Sequence, residues 1–369
     1  MKTVCIFNMN KSNITFGEMS SNIVSNLNKI EFESDTNCGI ASTDIPVDSE
    51  THEILCISLD IKKGEQITNK IKIKAKTILT TKLNNSELLE NVKLGEGSFG
   101  IVYKGTFRKQ DVAIKRLKSV TDDNKSVEEF EKEVSMLDKF RSEYIIHFYG
   151  AVFIPKKICL VTEFAKYGSL HDLMKKSQNG SKSTSKRELN TDINNTKPDI
   201  TILRKFILDM AKEISFLHNN GIVHRDIKPD NLLVFSLEMN DEINAKLTDF
   251  GSARNINMMM TNMTFTKGIG TPKYMAPEVL NREKYKMPSD IYSFAITMYE
   301  TFNWGDAYPK NKFQYAWSIA DFVTSGKHLE KNQNIGNEEF DIIEKMWCTD
   351  PHNRVEIDKI IDAINHIIH

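Results

Sequence analysis

The chain has 369 residues, 40% of them hydrophobic and 27% charged. That is enough apolar material for two or three domains of roughly 150 residues, with too little glycine and proline for a fibrous or wholly disordered polypeptide. Its 49 Lys and Arg nearly cancel its 50 Asp and Glu, so the basic excess of a nucleic-acid binder is missing and no such partner is expected.

Scattered cysteines (Cys5, Cys38, Cys56, Cys159, Cys348) form no C-x-x-C pair, which argues for reduced thiols in a cytoplasmic protein rather than zinc or a disulfide framework. The N-terminal apolar run is too short for a secretory signal, and no stretch approaches the ~20 apolar residues of a membrane helix. Residues 1–53 are rich in Asn, Ser, Asp and Glu without a sustained period and read as a partly disordered segment. Then Leu55, Ile57, Leu59 and Ile61 alternate with polar or small residues, and after Lys62–Glu65 so do Ile71, Ile73 and Ala75 with Lys72, Lys74 and Lys76. These runs predict a β-hairpin over 54–80 with one lysine-covered face. A lone hairpin is marginally stable. Either residues 1–53 add strands, as part of a β-sandwich that docks partners, or the hairpin straps onto the domain that follows.

From residue 88 the texture is that of an α+β domain. Strands are predicted at 91–95, 100–107 and 111–117, a helix at 126–140, strands at 149–154 and 158–163, and mostly helices afterwards. The polar stretch 177–198 reads as a solvated insertion, because helical spacing resumes at Ile202, Phe206, Ile207, Met210 and Ile214.

Leu94-Gly95-Glu96-Gly97-Ser98-Phe99-Gly100-Ile101-Val102 is a G-x-G-x-x-G-x-V run between two strand patterns. Positions without side chains let backbone N–H groups approach a polyphosphate. A dinucleotide fold requires a helix directly after the glycines, and Ile101-Val102-Tyr103 continues as a strand instead. Val112-Ala113-Ile114-Lys115 then ends an apolar strand on a lysine, which needs anionic partners if it points inward. On the next helix Phe130, Val134 and Leu137 mark the apolar stripe, and Glu133 is the carboxylate nearest that face; Glu128, Glu129 and Glu131 read as solvent-facing.

Residues 224–231 are His-Arg-Asp-Ile-Lys-Pro-Asp-Asn, residues 249–251 Asp-Phe-Gly and residues 276–278 Ala-Pro-Glu. With the glycine run and V-A-I-K before them, in this order, residues 88–369 resemble the eukaryotic protein kinases. The resemblance implies a bilobal fold, with an N-lobe over 88–163, a C-lobe over 164–369, and ATP with Mg²⁺ in the cleft. It implies that Asp226 takes the proton of the substrate hydroxyl and that Lys228 neutralises the transferring phosphoryl group. Lys115 would hold the α/β-phosphates and pair with Glu133, while Asn231 and Asp249 supply oxygen ligands to Mg²⁺. Leu94, Gly95, Gly97 and Gly100 would cover the nucleotide, and Val102, Ala113 and Leu233 would sandwich the adenine. Thr162 corresponds to the gatekeeper, and Glu163, Phe164 and Ala165 to the hinge. Leu137, Phe148, His224 and Phe250 would stack as an internal column.

The branch follows from the same match. Lys228 two residues after Asp226, and the docking segment 270–278 with Thr271 bridging Asp226 and Lys228, are of the Ser/Thr kind. Segments 161–170 and 290–294 are similar to tyrosine kinases. The mixture resembles the tyrosine-kinase-like group, whose members mostly phosphorylate Ser and Thr; tyrosine or dual specificity is the alternative. A pseudokinase scaffold needs a missing group, and Lys115, Glu133, Asp226, Asn231 and Asp249 are all present. Ser142, Ala295 and Val355 depart from the family pattern without removing a chemical group, and Arg354 is expected to pair with Glu278. Arg225 beside Asp226 is placed to receive a phosphate from Thr261, Thr264 or Thr266.

Overall fold

The computed structural model describes residues 2–7, 54–59, 82–96, 100–117, 124–154, 157–178, 197–255 and 271–368. Strand β1 (Lys2–Phe7) pairs antiparallel with β2 (Ile54–Leu59), Cys5 opposite Cys56. The strand expected from residue 54 therefore forms, but its described partner comes from the segment read as aperiodic. Val4-Cys5-Ile6-Phe7 is continuously apolar rather than alternating, a pattern in which periodicity alone does not separate strand from helix. Residues 71–76, the other arm of the expected hairpin, lie outside the described residues.

The following sheet contains β3 (Leu88–Glu96), β4 (Gly100–Phe107), β5 (Gln110–Leu117), β6 (Phe148–Ile154) and β7 (Lys157–Glu163), in the order β3-β4-β5-β7-β6. The β4–β5 turn holds Arg108 and Lys109 at φ 47° and 69°, the left-handed pair whose twist suits a two-residue hairpin. Gly105 is required by a close approach: a Cβ there would lie 2.5 Å from the Leu89 carbonyl oxygen. Helix α1 (Asn124–Lys139) buries Phe130, Glu133, Val134 and Leu137, the stripe expected from the spacing.

The larger lobe is mostly helical. In chain order it comprises α2 (Leu170–Gln178), α3 (Ile200–Asn219), the short strands β8 (Ile222–Val223), β9 (Leu232–Val234), β10 (Ala245–Leu247) and β11 (Arg254–Asn255), then α4 (Pro277–Leu280), α5 (Met287–Asn303), α6 (Ala316–Thr324), α7 (Asn337–Met346) and α8 (Ile357–Ile368). Asp199 starts α3 by accepting the Thr201 N–H. Helix α5 is buried on all sides from Ser289 to Phe302, and its buried polar side chains are hydrogen-bonded, Ser293 to the Tyr274 carbonyl and Thr297 and Thr301 to carbonyls one turn back. The Arg354 guanidinium meets both Glu278 oxygens at 2.7 Å, and the Ser289 hydroxyl donates to the same carboxylate. This is the buried, bidentate pair expected from sequence. Sheet-built small lobe and helical large lobe give the α+β, two-lobed arrangement that the resemblance implies.

Candidate active site

Strand β5 has two unlike faces. Val112 and Ile114 are fully buried (0% exposed) on one face, whereas Ala113 and Lys115 are part-exposed on the other. Residues opposite one another in an antiparallel pair share a face; Val102 lies opposite Lys115, and Ala113 opposite Thr162. The pleat thus puts Val102, Ala113, Lys115 and Thr162 on one surface, with Leu94 and Gly95 part-exposed on the neighbouring strand. Gly97 lies outside the described residues.

The glycines flanking that gap differ. Among the described residues a Cβ on Gly95 would meet nothing within 4 Å, while one on Gly100 would lie 2.6 Å from the Arg116 carbonyl oxygen. Gly100 is thus needed for strand packing, whereas the described residues leave space beside Gly95.

Lys115 Nζ donates to Glu133 at 2.7 and 2.9 Å and stands 3.6 Å from Asp249 Oδ1. Burial by itself would lower the Lys115 pKa, but Asp249 and Glu133 hold it above the ordinary lysine range. Lys115 in turn keeps the Asp249 carboxyl below its ordinary value, against burial. Asp249 adopts the left-handed conformation, φ 64°. The strand before it is pinned to the loop after α1 by bonds from Leu247 N to Tyr144 O and from Ile146 N to Leu247 O.

The loop between β8 and β9 gathers the second cluster. Asp226 Oδ2 accepts from Lys228 Nζ at 2.7 Å and from Asn231 Nδ2 at 3.1 Å. Asp226 Oδ1 accepts from the Thr271 hydroxyl at 3.3 Å, and Lys228 Nζ also donates to Thr271 Oγ1 at 3.0 Å. Thr271 thus bridges the two residues as expected. The Asn231 carbonyl accepts the Thr248 N–H at 2.9 Å, which ties Asn231 to the residue before Asp249.

This donor set fits Mg²⁺. Asn231 commits its Nδ2 to Asp226, so its side-chain oxygen is the atom that can coordinate, and Asp249 offers an ionised carboxylate. Two hard oxygen ligands are what Mg²⁺ takes when phosphate and water fill its remaining positions.

Of the expected internal column, His224 packs edge-on against Phe250 with centroids 5.1 Å apart. Phe250 and Leu137 line one apolar cleft with Met136, Phe140, Ile145 and Leu217, and Phe148 is buried. At the hinge, Thr162 and Ala165 are buried and Leu233 is half-buried. The Glu163 side chain turns away from the cleft: its Oε1 accepts the His147 N–H at 2.6 Å and Lys246 Nζ at 2.8 Å.

Two positioning groups escaped sequence reasoning. Glu163 was read only through its backbone, and Asp290 only as part of a family-like segment. Asp290 is fully buried and accepts from the His224 and Arg225 backbone amides, from the Tyr285 hydroxyl and from His218 Nε2. Its backbone donors lie some 65 residues back in the chain, so no local pattern in the sequence marks it. The threonines Thr261, Thr264 and Thr266 lie outside the described residues.

A family profile described as protein tyrosine and serine/threonine kinase matches residues 88–364. The chain belongs to the protein kinase family. It is 32% identical over 298 residues to the probable serine/threonine-protein kinase gdt9 of Dictyostelium discoideum, covering 78% of this chain and 18% of that protein. It is 30% identical over 288 residues to serine/threonine-protein kinase STY46 of Arabidopsis thaliana, covering 77% and 45%. With stress-activated protein kinase alpha of Dictyostelium discoideum it shares 39% over 222 residues, covering 59% and 31%. The chain thus spans less than half the length of these relatives. The tyrosine-kinase-like branch read from the motifs agrees with a profile covering both kinds of kinase and with these relatives' names. The match begins at residue 88, so it lends no support to the docking role expected of the N-terminal strands. Among the described residues, no helix is long and apolar enough to cross a membrane.

Proposed function

We propose that the chain is an ATP-dependent protein kinase that transfers the γ-phosphate of Mg-ATP to serine and threonine hydroxyls of protein substrates. The observation that carries this reading is the Asp226 carboxylate, aimed by Lys228, Asn231 and Thr271, the last from the segment where a peptide would dock. Phosphoryl transfer has a loose transition state and asks the protein for alignment and charge neutralisation.

In this reading Asp226 accepts the proton of the substrate hydroxyl, and Lys228 lies against the charge of the moving phosphoryl group. Glu133 orients Lys115, whose ammonium holds the α/β-phosphates. Asn231 and Asp249 would hold Mg²⁺, which when bound offsets phosphate charge. Leu94, Val102, Ala113 and Leu233 supply apolar contact to the adenine, Thr162 stands at its back and the 163–165 backbone pairs with its edge. Use of ATP and the unpaired thiols of Cys159 and Cys348 support a cytoplasmic setting for this activity.

Arg225 supports a regulatory element. Its Nε is buried without a hydrogen-bond partner among the described residues, and burial together with the charge of Arg254 depresses its pKa. A phosphate on Thr261, Thr264 or Thr266 would give that Nε an acceptor. Replacing all three by alanine should lower specific activity; unchanged activity rules this element out.

The main test is incorporation of labelled phosphate from Mg-ATP into a generic basic protein. Label is expected on Ser and Thr and is expected to vanish in Asp226→Asn. Label on Tyr would favour the tyrosine or dual-specificity alternative. ATP binding without any transfer would favour a pseudokinase scaffold.

A further inference from the structure

The turn Thr271–Tyr274 touches the Asp226 carboxylate at one end and an acidic recess at the other. Thr271 Oγ1 donates to Asp226 at 3.3 Å. Two residues on, Lys273 Nζ contacts Glu300 Oε1 and stands 2.7 Å from Asp306 Oδ1. The Tyr274 hydroxyl donates to Glu300 Oε2 at 2.7 Å, and the Ala307 N–H donates to Oε1 at 2.8 Å. The Glu300 side chain is 2% exposed, Lys273 21% and Asp306 48%. One carboxylate therefore lies deep, one stands at the mouth, and the lysine spans them. Burial would lower the Lys273 pKa, yet Glu300 and Asp306 raise it, so the ammonium remains charged.

A 3₁₀ turn advances ~2 Å per residue, so Lys273 is a short step from the Asp226 contact. An extended peptide with its hydroxyl at Asp226 would advance ~3.3 Å per residue, so a side chain one or two residues from the acceptor would come within reach of the Asp306 end of the recess. Two carboxylates so placed would take up a basic side chain; here the chain supplies its own cation.

We propose that Lys273 is a specificity-determining residue: by filling the Glu300–Asp306 recess it makes the docking turn indifferent to basic side chains on the peptide. The proposal rests on the kinase reading above and identifies a feature of the substrates that reading allows. With the lysine gone, an arginine on the substrate replaces the missing cation and satisfies both carboxylates.

The test uses peptide pairs differing only by Arg or Ala at each position within three residues of the acceptor, with kcat/KM for each. In the unaltered chain the Arg/Ala ratio is expected to stay within about threefold of unity at every position. Lys273→Met is expected to raise the ratio about tenfold or more at one position. Lys273→Arg should keep the original ratio, and Lys273→Met with Glu300→Gln should bring it back towards unity. Lys273→Gln, whose amide can still donate to Glu300, carries the same test with less risk to folding. A lysine that only stabilises the fold would lower both peptides alike, and an unchanged ratio in a folded, active Met or Gln variant overturns the proposal. So does an unaltered chain that already prefers Arg. Failure of the unaltered chain to phosphorylate any peptide or protein would instead remove the kinase reading, and this proposal with it.

Discussion

Asp290 holds Arg225 through its backbone: the buried carboxylate accepts the Arg225 N–H at 3.0 Å, and Arg225 is kept at φ 71°. A non-glycine residue in that region carries strain that its surroundings must offset. The same carboxylate accepts the His224 N–H at 2.9 Å, His218 Nε2 at 3.0 Å and the Tyr285 hydroxyl at 2.7 Å. Although burial opposes ionisation, the His218 bond and the backbone amides hold the Asp290 carboxyl below its ordinary value. The residue before Asp226 is thereby set from the first turn of helix α5.

Asp290→Ala should therefore cost about 3 kcal/mol or more, because several buried donors lose one acceptor together. Urea unfolding measures this cost. Phosphoryl transfer at temperatures where the variant is folded should still fall, since the Asp226 backbone loses its support. A folded variant with full turnover would contradict that role.

Lys115→Met and Glu133→Gln separate the two halves of the deep ion pair. Lys115→Met removes the proposed phosphate contact and strands the Glu133 carboxyl, which burial already pushes up. It is expected to reduce phosphoryl transfer about 100-fold or more. Glu133→Gln keeps the ammonium and its Asp249 neighbour, so a smaller loss, about tenfold, is expected. Steady-state kinetics over a range of ATP concentrations check both, and equal losses would mean that Glu133 does more than orient Lys115.

The two glycines predict opposite phenotypes. Gly100→Ala drives a Cβ into the Arg116 backbone and should destabilise by about 1–3 kcal/mol. A Cβ from Gly95→Ala meets nothing among the described residues, so its thermal midpoint should hold while ATP binding weakens about tenfold. Calorimetry on each variant with and without nucleotide distinguishes them.

Glu213 gives the fold a pH dependence. It is fully buried on helix α3, and neither oxygen meets a partner at hydrogen-bonding geometry among the described residues. Burial pushes its carboxyl from 4.5 up to about 8, with the Ser142 hydroxyl easing it slightly. An acid with a raised folded pKa is neutral in both states below its unfolded value, and the folded state loses ground as pH rises through the gap. Stability should thus decline from about pH 4.5 to about pH 8 and level off above. Glu213→Gln should flatten that decline and add about 1–3 kcal/mol at pH 8. Urea midpoints across the range test it, and an unchanged slope in Glu213→Gln would discount the burial.

Local patterns were legible where a segment's neighbours in sequence are also its neighbours in space. The stripe Phe130, Val134, Leu137 on α1 indicated which face is buried, and it was enough to single out Glu133. The catalytic loop could be read for the same reason, since Asp226, Lys228 and Asn231 bond within one tight turn. Strand β1 was not legible, because a short continuous apolar run has no period to detect and acquires its meaning from a partner strand far along the chain.

The amino-acid order by itself determined the kind of chemistry available: a glycine-lined strand pair, a lysine at a strand end, and carboxylates and an amide at fixed short spacings. Only the tertiary structure decided which charges face one another. Asp290 finds its backbone donors some 65 residues away, and Lys273 is spent on Glu300 and Asp306 rather than offered to solvent. The physical reason is that burial removes water as a competitor. The partner of a buried charge is then set by whichever element packs against it, and that is a property of the folded chain, not of its neighbours in sequence.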